Sequence, residues 1–263
     1  GPGEEGKLYS VALSSDGDTV AVAGWTGWDW DGSASIYLFD RASGRLRQRL
    51  VGLEDVVLHL TFSPDGRQLA ASVGVAGVRI FALPEGRMLG ADREYGEEDS
   101  HGVEFSPDGR RLVTTGWDGK LRLYDVGPSG LNLRARESAP GGRKPYRARF
   151  SPDGRWIAVG FVDTSVMNVL AADTLALRAT LETTGVGGVL GTPAWSRDGT
   201  RLHAAGGANR DGQFFIRRWP MSGARAGAPV DWPVARDSVF DLAALPDGSI
   251  AFGSGEPTWG VVD

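Results

Sequence analysis

Short runs of alternating apolar and polar residues, each about the length of a β-strand, recur along the whole chain between turn residues. The clearest example is segment 105–125, FSPDGRRLVTTGWDGKLRLYD. Its Ser-Pro-Asp-Gly at 106–109 has the chemistry of a β-turn, because proline presets φ at the second position and glycine accepts positive φ at the exit. Two more strand-length runs follow, divided by Trp-Asp-Gly at 117–119. The pattern predicts a three-strand meander that cannot bury its own faces.

The same turn recurs six times at nearly even spacing. Successive turn aspartates lie 43 to 49 residues apart, and they are Asp16, Asp65, Asp108, Asp153, Asp198 and Asp247. A period of roughly 40–45 residues with four short strands per unit is typical of propeller blades. We therefore predict an all-β fold, a β-propeller with six recognisable blades of four-stranded antiparallel sheet. Residues 1–263 are predicted to form a single domain, with blades at about 8–51, 57–91, 101–137, 146–181, 192–231 and 239–263.

The two ends of the chain predict an incomplete ring. The last predicted blade has three strands, and only the glycine- and glutamate-rich residues 1–6 precede the first. Propellers usually close when one terminus completes the blade begun by the other, and residues 1–6 make a poor strand. We expect the chain to be an excerpt of a seven-bladed ring, or else to close imperfectly with six blades. The open edge of the last blade would then favour self-association.

Composition excludes several classes of function. The net charge of -5 and pI of about 5.3 argue against a nucleic-acid or anionic-membrane binder. The chain has no cysteine, which excludes disulfides, thiolate nucleophiles and cysteine metal sites. No apolar run reaches membrane-spanning length, so a soluble protein is expected. Only three of the 28 basic residues are lysine, a bias that favours a GC-rich bacterial genome and hence bacterial cytoplasm or periplasm.

The repeats resemble those of the WD40 family. The third unit matches best, with Asp-Gly at 118–119 in the middle loop and Leu-Tyr-Asp at 123–125 where the family ends its third strand in Trp-Asp. Phe-Asp at 39–40 and Arg-Trp at 218–219 take the same place less faithfully. No unit has the family's Gly-His pair before its first strand. The resemblance therefore implies that the family's Asp-His-Ser-Trp hydrogen-bond tetrad is absent or incomplete, and we expect the blades to depend on apolar packing instead.

A narrower resemblance concerns the beginning of the chain. Segments 1–17, GPGEEGKLYSVALSSDG, and 24–41, GWTGWDWDGSASIYLFDR, resemble WD40 regions of large bacterial proteins that carry a caspase-like protease module. In such proteins the propeller senses or scaffolds. Because this chain has no cysteine, the resemblance implies that any protease activity lies outside it.

No residue is predicted to be catalytic, and no metal or cofactor is expected. His59, His101 and His203 fall in or beside predicted strands, without a nucleophile at a recognisable spacing. Residues 29–33 begin like a calcium loop but lack the later glycine and glutamate. A basic stretch over 134–149 has two interpretations, an anion or RNA patch, or structural pairing. In the structural interpretation Arg149 pairs with Glu104, which holds the same first-strand position in the preceding blade.

The best candidate for partner binding is the enlarged middle loop of the first blade. Three tryptophans within six residues alternate with aspartates, and buried tryptophans often anchor interfaces. The alternative is that this loop folds back and caps its own blade. Middle loops share one face of a propeller, and Asp163, Asn209 and Asp211 are expected beside the site. The predicted partner-binding residues are Trp25, Trp28, Asp29, Trp30, Asp31, Trp117, Asp118, Arg210 and Trp259.

Two classes of function remain open from the sequence. The leading prediction is a non-catalytic scaffold or sensor module of a larger bacterial protein, which binds a protein partner or a neighbouring domain of the same polypeptide. The alternative is a propeller enzyme or small-ligand binder that uses the central channel. The first-strand positions expected to line that channel are polar but form no recognisable catalytic set; they are Ser10, His59, Gly102, Arg147, Thr192 and Asp241.

Overall fold

The computed structural model describes residues 6–26, 33–128 and 130–263. Regular structure in these ranges is almost entirely β-strand, with one three-residue 3-10 helix at Gly74–Ala76. The all-β prediction is confirmed. Among the described residues, no helix is both long enough and apolar enough to cross a membrane.

The chain divides into two compact units, residues 1–118 with 122–134, and residues 119–121 with 135–263. The prediction of a single domain over residues 1–263 stays a prediction. The first unit holds the first and second sheets and most of the third, each with four antiparallel strands in sequential order. Their strands are β1 Leu8–Leu13, β2 Thr19–Gly24, β3 Ala34–Asp40, β4 Leu46–Leu53, β5 Val57–Phe62, β6 Gln68–Val73, β7 Gly77–Ala82, β8 Arg87–Asp92, β9 Ser100–Phe105, β10 Arg111–Gly116, β11 Lys120–Gly127 and β12 Gly130–Ser138.

The second unit holds three further antiparallel sheets. The fourth has four strands, the fifth has six because two short strands join it, and the last has three. Their strands are β13 Pro145–Phe150, β14 Trp156–Phe161, β15 Met167–Ala171, β16 Leu177–Thr180, β17 Thr192–Trp195, β18 Arg201–Ala205, β19 Asn209–Arg210, β20 Gln213–Ser222, β21 Arg225–Ala226, β22 Val230–Ala235, β23 Val239–Ala244, β24 Ile250–Ser254 and β25 Trp259–Val262.

The repeated turn between the first and second strands of a sheet has the chemistry expected from its sequence. In the third sheet, Ser106 Oγ donates to Asp108 Oδ1 at 2.5 Å and accepts a bond from the backbone N of Arg111 at 2.9 Å. Gly109 has φ of 69°, in the left-handed region where glycine costs least. The first sheet repeats this arrangement, with Ser14 Oγ donating to Asp16 Oδ1 at 2.5 Å. The turn is therefore specified by a few neighbouring residues.

The core of each unit lies between consecutive sheets. In the first unit, Leu60 and Leu69 of the second sheet pack against Ile36 and Leu38 of the first. In the same way, Val103, Leu112 and Tyr124 of the third sheet pack against Ala70 and Ile80 of the second.

The second unit follows the same rule. Leu202 and Trp219 of the fifth sheet pack against Met167 and Val169 of the fourth. Leu242 and Phe252 of the last sheet pack against Ile216 of the fifth. In both units, one face of each later sheet covers the opposite face of the sheet before it.

Candidate functional site

Each described residue of the predicted site lies at the end of its own sheet that carries the middle loop, which we call the loop end of that sheet. It contains the middle loop, between the second and third strands, and the connection that leads into the first strand. A backbone hydrogen bond ties the two together. In the first unit, Trp25 N donates to Lys7 O at 2.8 Å, and Trp117 N donates to Asp99 O at 2.9 Å. The second unit repeats the bond between Val162 N and Lys144 O at 3.1 Å.

The middle loop of the first sheet is described only at its two ends. Trp25 is half-buried at the end of β2. Thr26 Oγ1 donates to Ser35 O at 2.9 Å and accepts from Ser35 N at 2.8 Å, which closes the base of the loop. Trp28, Asp29, Trp30 and Asp31 lie outside the described residues, so their predicted role stays a prediction.

Trp117, in the middle loop of the third sheet, forms an aromatic platform with His101. The two rings stack with centroids 4.1 Å apart and planes inclined by 27°. Both residues are half-buried, so part of the stacked pair remains accessible. The backbone bond to Asp99 ties the loop that carries Trp117 to the connection before β9.

Asp118, the next predicted residue, forms an ion pair with a buried arginine of its own sheet. Arg122 is 1% exposed, and its guanidinium donates to Asp118 Oδ2 at 2.6 Å and to Oδ1 at 3.3 Å. The same group donates to the backbone carbonyl of Glu94 and lies 3.8 Å from the centroid of the Tyr95 ring. Asp118 therefore neutralises a buried cation and fixes the loop beside Trp117.

A tyrosine pair continues this buried network in the third sheet. The Tyr95 hydroxyl is hydrogen-bonded to Thr114 Oγ1 at 2.6 Å and lies 3.3 Å from the Tyr124 hydroxyl. Tyr124 in turn donates to Asp92 Oδ2 at 2.6 Å. Burial raises the pKa of Tyr95 to about 12, so the hydroxyl remains a neutral hydrogen-bonding group.

This network corrects the expectation that the blades depend on apolar packing alone. The third sheet lacks the family's histidine, yet Tyr95, Thr114 and Tyr124 join the connection, the second strand and the third strand by hydrogen bonds. Asp118 enters through Arg122 rather than through a histidine. The sequence pattern offered no histidine for this role, but a tyrosine hydroxyl on the connection reaches the second strand instead.

Buried arginines in the third strand of a sheet were also missed from the sequence. Arg79 of the second sheet donates to Glu54 Oε2 at 2.5 Å and to Ala76 O at 2.7 Å. Arg217 of the fifth sheet donates from Nε to Asp231 at 2.6 Å. The available signal was an arginine that follows an aliphatic residue in three of the third strands, as VRIF, LRLY and IRRW. An arginine buried at such a position needs a partner for its charge.

Acidic groups surround the loop end of the first unit. Burial opposes ionisation of Glu54, but the Arg79 and Arg93 guanidiniums outweigh that effect and lower its pKa. For Asp99 the balance is reversed, since burial and then the carboxylates of Asp55 and Glu98 raise its pKa. Glu54 is thus neutralised by two arginines, whereas Asp99, which is tied to the Trp117 loop, has the carboxylates of Asp55 and Glu98 near it.

The predicted site residues of the second unit differ in solvent exposure and in the contacts that they already make. Trp259 in the last strand is 80% exposed. Arg210 is exposed, and its guanidinium contacts Asp231 Oδ2 at 3.1 Å. The Asp163 carboxylate accepts hydrogen bonds from the backbone N of Arg143 at 2.7 Å and of Lys144 at 3.2 Å. It therefore joins its middle loop to the connection before β13.

The other two residues expected beside the site, Asn209 and Asp211, lie in a loop of the second unit. Asn209 Nδ2 donates to Gly207 O at 3.1 Å. Asp211 adopts φ of 52° at the tip of its loop.

The three histidines are buried or half-buried within the sheets. Val103 N donates to Nδ1 of the buried His59 at 3.2 Å, a bond between neighbouring first strands. His101 stacks on Trp117. Burial lowers the pKa of His203 to about 4, so it is neutral near pH 7. Within residues 6–26, 33–128 and 130–263, no group of three His, Cys, Asp or Glu side chains is placed to hold a metal ion.

The basic stretch does not present a continuous patch. Arg134 contacts Asp125 at 3.4 Å in the first unit. In the second unit Arg147 is buried, and Arg149 lies 3.6 Å from Asp241. The pairing of Arg149 with Glu104 stays a prediction.

Comparison with known proteins agrees with the repeat pattern. The family described as "WD domain, G-beta repeat" matches residues 96–125, which contain the platform and most of the buried network. The chain contains a WD40 repeat. The fly protein groucho, from Drosophila melanogaster, is 24% identical over 161 residues, which cover 60% of this chain. The match spans only 20% of groucho.

A solved structure supports the fold over nearly the whole chain. The β-propeller domain of Cps50 (Swd1) from Myceliophteria thermophila superposes with a TM-score of 0.72 at 14% identity. It covers 97% of this chain, and the chain covers 83% of that domain. The predicted six-bladed β-propeller fold is thereby confirmed.

Proposed function

We propose that this chain is a non-catalytic interaction module that binds a protein partner through the loop end of its sheets. The observation that supports this most directly is the third sheet, where the half-buried Trp117 and His101 stack beside a buried polar network. The platform is aromatic, and Asp99 and Asp118 lie beside it. A surface of this kind favours a partner segment that combines an apolar anchor with basic residues.

The comparisons support the general class rather than a particular partner. WD40 propellers generally act as scaffolds for other proteins, and the matched repeat is the one that carries the platform. A propeller enzyme or channel ligand is not proposed, because the histidine positions in the first strands are used for structural contacts. The fold by itself does not choose a function.

The finer part of the proposal concerns the setting of the module. We place the chain in a larger bacterial protein, where it acts as a sensor or scaffold module. In this proposal it regulates a caspase-like protease module. The support is the resemblance of segments 1–17 and 24–41 and the arginine-rich composition. The partner is then a neighbouring domain of the same polypeptide or a separate protein.

Site-specific photo-crosslinking tests the proposal. A photoreactive amino acid replaces Glu97, which is exposed at the loop end, or Arg110, which is exposed at the opposite end of the same sheet. We expect crosslinks from position 97 to one protein or one segment of the same polypeptide, and few from position 110. Trp117→Ala should reduce the crosslinks from position 97. Equal yields at both positions, or no effect of Trp117→Ala, would contradict the proposal.

The tryptophans of the first middle loop give a second test. Trp28→Ala with Trp30→Ala should weaken partner capture while leaving the melting temperature nearly unchanged. A parallel loss of stability would support the alternative in which the loop caps its own blade.

A further inference from the structure

Nine Asp-Gly pairs occur along the chain, and one of the described pairs differs from the others in its surroundings. The pairs begin at Asp16, Asp31, Asp65, Asp108, Asp118, Asp153, Asp198, Asp211 and Asp247. The pair at Asp31 lies outside the described residues. The other pairs can be compared directly, because the same two residues meet different surroundings in one chain.

An Asp-Gly pair can rearrange its own backbone. The amide nitrogen of the glycine attacks Cγ of the aspartate, a water molecule leaves, and a succinimide ring forms. Water then opens the ring at one of its two carbonyl carbons. Opening at Cγ restores aspartate, whereas opening at the former backbone carbonyl carbon gives isoaspartate, in which the main chain runs through Cβ. The water that was lost is regained, so the net change is an isomerisation that needs no co-reactant.

In the six repeated turns, hydrogen bonds hold both groups that would react. In the third sheet, Gly109 N donates to Ser106 O at 2.8 Å. Asp108 Oδ1 accepts from Ser106 Oγ at 2.5 Å and from Arg110 N at 3.1 Å. Both features recur in the other five turns, at Asp16, Asp65, Asp153, Asp198 and Asp247. Ring closure in a turn would have to break these bonds.

The Asp118 carboxylate is held by charge. It lies 2.6 Å from the guanidinium of the buried Arg122. Attack by the nitrogen of Gly119 would remove the negative charge and leave the enclosed guanidinium without its counterion, which is costly. Asp118 is therefore protected as well, although by a different contact.

Asp211 and Gly212 form the turn of the β19–β20 hairpin, and neither of their reacting groups is held. Arg210 pairs with Gln213 across the turn, so the loop has only these two residues. Both are exposed. The Asp211 carboxylate and Gly212 N make no hydrogen bond to any residue that the structure describes. Beyond the adjacent residues, no atom lies within 4 Å of the position that a Cβ on Gly212 would take.

The backbone of this turn also suits ring closure. Asp211 has φ of 52° and Gly212 has φ of 78°, the positive values of a type I′ hairpin turn. A type II′ turn keeps positive φ at the first residue and differs by rotation of the peptide plane between the two. That rotation brings Gly212 N to the side of Asp211 Cβ, where the ring closes, and φ of Asp211 keeps its sign.

We propose that Asp211 is a site of spontaneous modification, at which the folded chain isomerises to isoaspartate faster than at the other described Asp-Gly pairs. Isoaspartate inserts one methylene into the main chain of the hairpin and leaves a carboxylate as a short branch. A branch of this kind is the group that isoaspartyl carboxyl methyltransferases recognise. The inference is independent of the loop-end partner, because it uses only the chemistry of residues 211 and 212.

Incubation of the folded chain at neutral pH in water enriched in heavy oxygen tests the proposal. Each ring opening adds one oxygen atom from the solvent, so the reacting residue gains mass. Digestion in ordinary water and mass spectrometry then locate the label. We expect labelling at Asp211 to be at least about tenfold faster than at the turn aspartates or Asp118, because those must first break hydrogen bonds or an ion pair. Transfer of a methyl group from S-adenosylmethionine by an isoaspartyl methyltransferase counts the isoaspartate that forms.

Two variants and one condition separate the turn from its surroundings. Asp211→Glu keeps the charge but requires a larger ring that forms more slowly, so it should remove the label. Asp211→Asn tolerates the same backbone and closes the same ring with loss of ammonia, which leaves more readily than water, so labelling should be faster. In urea, where the hydrogen bonds of the turns are broken, labelling of the turn aspartates should approach that of Asp211. Agreement of the rates in urea shows that the fold, and not the sequence around each pair, selects Asp211.

Three results would overturn the inference. A folded chain that gains no label at Asp211 would show that the ring does not close there. Equal labelling of Asp211 and the turn aspartates in the folded chain would show that the hydrogen bonds of the turns do not protect them. Label that persists at position 211 in Asp211→Glu would show that it enters by another reaction.

Discussion

The first and third sheets are built alike, yet one of them leaves open a face that the other buries. Both have four antiparallel strands in sequential order, and in both the same serine–aspartate turn joins the first two strands. Val11 in the first sheet and Val103 in the third are the same residue at the same strand position. Val11 is 67% exposed and Val103 is 1% exposed. Burial is therefore decided by the neighbouring sheet rather than by the strand itself.

The two sheets also differ at one position of the third strand. Tyr37 in the first sheet corresponds to Arg122 in the third. Tyr37 lies on an open face, where the Arg49 guanidinium carbon is 5.5 Å from its ring centroid. Arg122 is enclosed and requires Asp118, because an unpaired buried charge is costly. Covering a face thus changes which side chains the same position can hold.

The largest expected effect comes from breaking the buried ion pair of the third sheet. Asp118→Ala leaves Arg122 charged without its carboxylate, and we expect a loss of about 3–5 kcal/mol in the free energy of unfolding. Urea denaturation measures this. Asp125→Ala in the same sheet is the control, since Asp125 and Arg134 are both about half exposed. It should lose no more than about 1 kcal/mol.

Adding Arg122→Met to Asp118→Ala should recover part of the loss, because the uncompensated charge is removed. Equal losses for Asp118→Ala and Asp125→Ala would show that the buried pair has no special role in the third sheet.

An intermediate effect is expected from truncating the equivalent valines. Val103→Ala removes buried methyl groups and leaves a cavity, which should cost about 2 kcal/mol. Val11→Ala should change the free energy of unfolding by less than about 0.5 kcal/mol. Both are measured by urea denaturation. Similar losses for the two variants would show that Val11 is covered in solution.

The smallest effect concerns the turns, in which the two sheets should behave alike. Hydrogen bonds from Ser14 and Ser106 lower the pKa values of Asp16 and Asp108 respectively. Each ionised carboxylate therefore stabilises the fold above its ordinary pKa, and this contribution is lost as the pH falls through the lowered value. Asp16→Asn and Asp108→Asn should each reduce stability slightly at pH 7, and the difference from the wild type should shrink in acid.

Denaturation at a series of pH values measures both turn variants. A difference from the wild type that grows as the pH falls would contradict the assigned role of the carboxylates.

The sequence predicted much of the fold because its signals are local. The turn at 106–109 is specified by residues within five positions of one another, as the bonds of Ser106 to Asp108 and Arg111 show. Strand alternation acts over the same range. The even recurrence of this unit then indicates propeller blades without any knowledge of long-range contacts. The surroundings of the candidate site were predicted less completely: the sequence pattern identified Trp117 and Asp118 but not Arg122 and Tyr95, which contact or lie near them.

The sequence by itself determined the repeated turns, the strands between them and the all-β class, because each depends on φ preferences and side-chain bonds over a few residues. Only the tertiary structure decided which polar groups meet. Tyr95 and Thr114 are 19 positions apart, and Arg79 and Glu54 are 25 apart. It also decided which face of each sheet is covered, as Val11 and Val103 show. The physical reason is that desolvation depends on what packs against a side chain, and the sequence of one strand does not specify which sheet will pack against it.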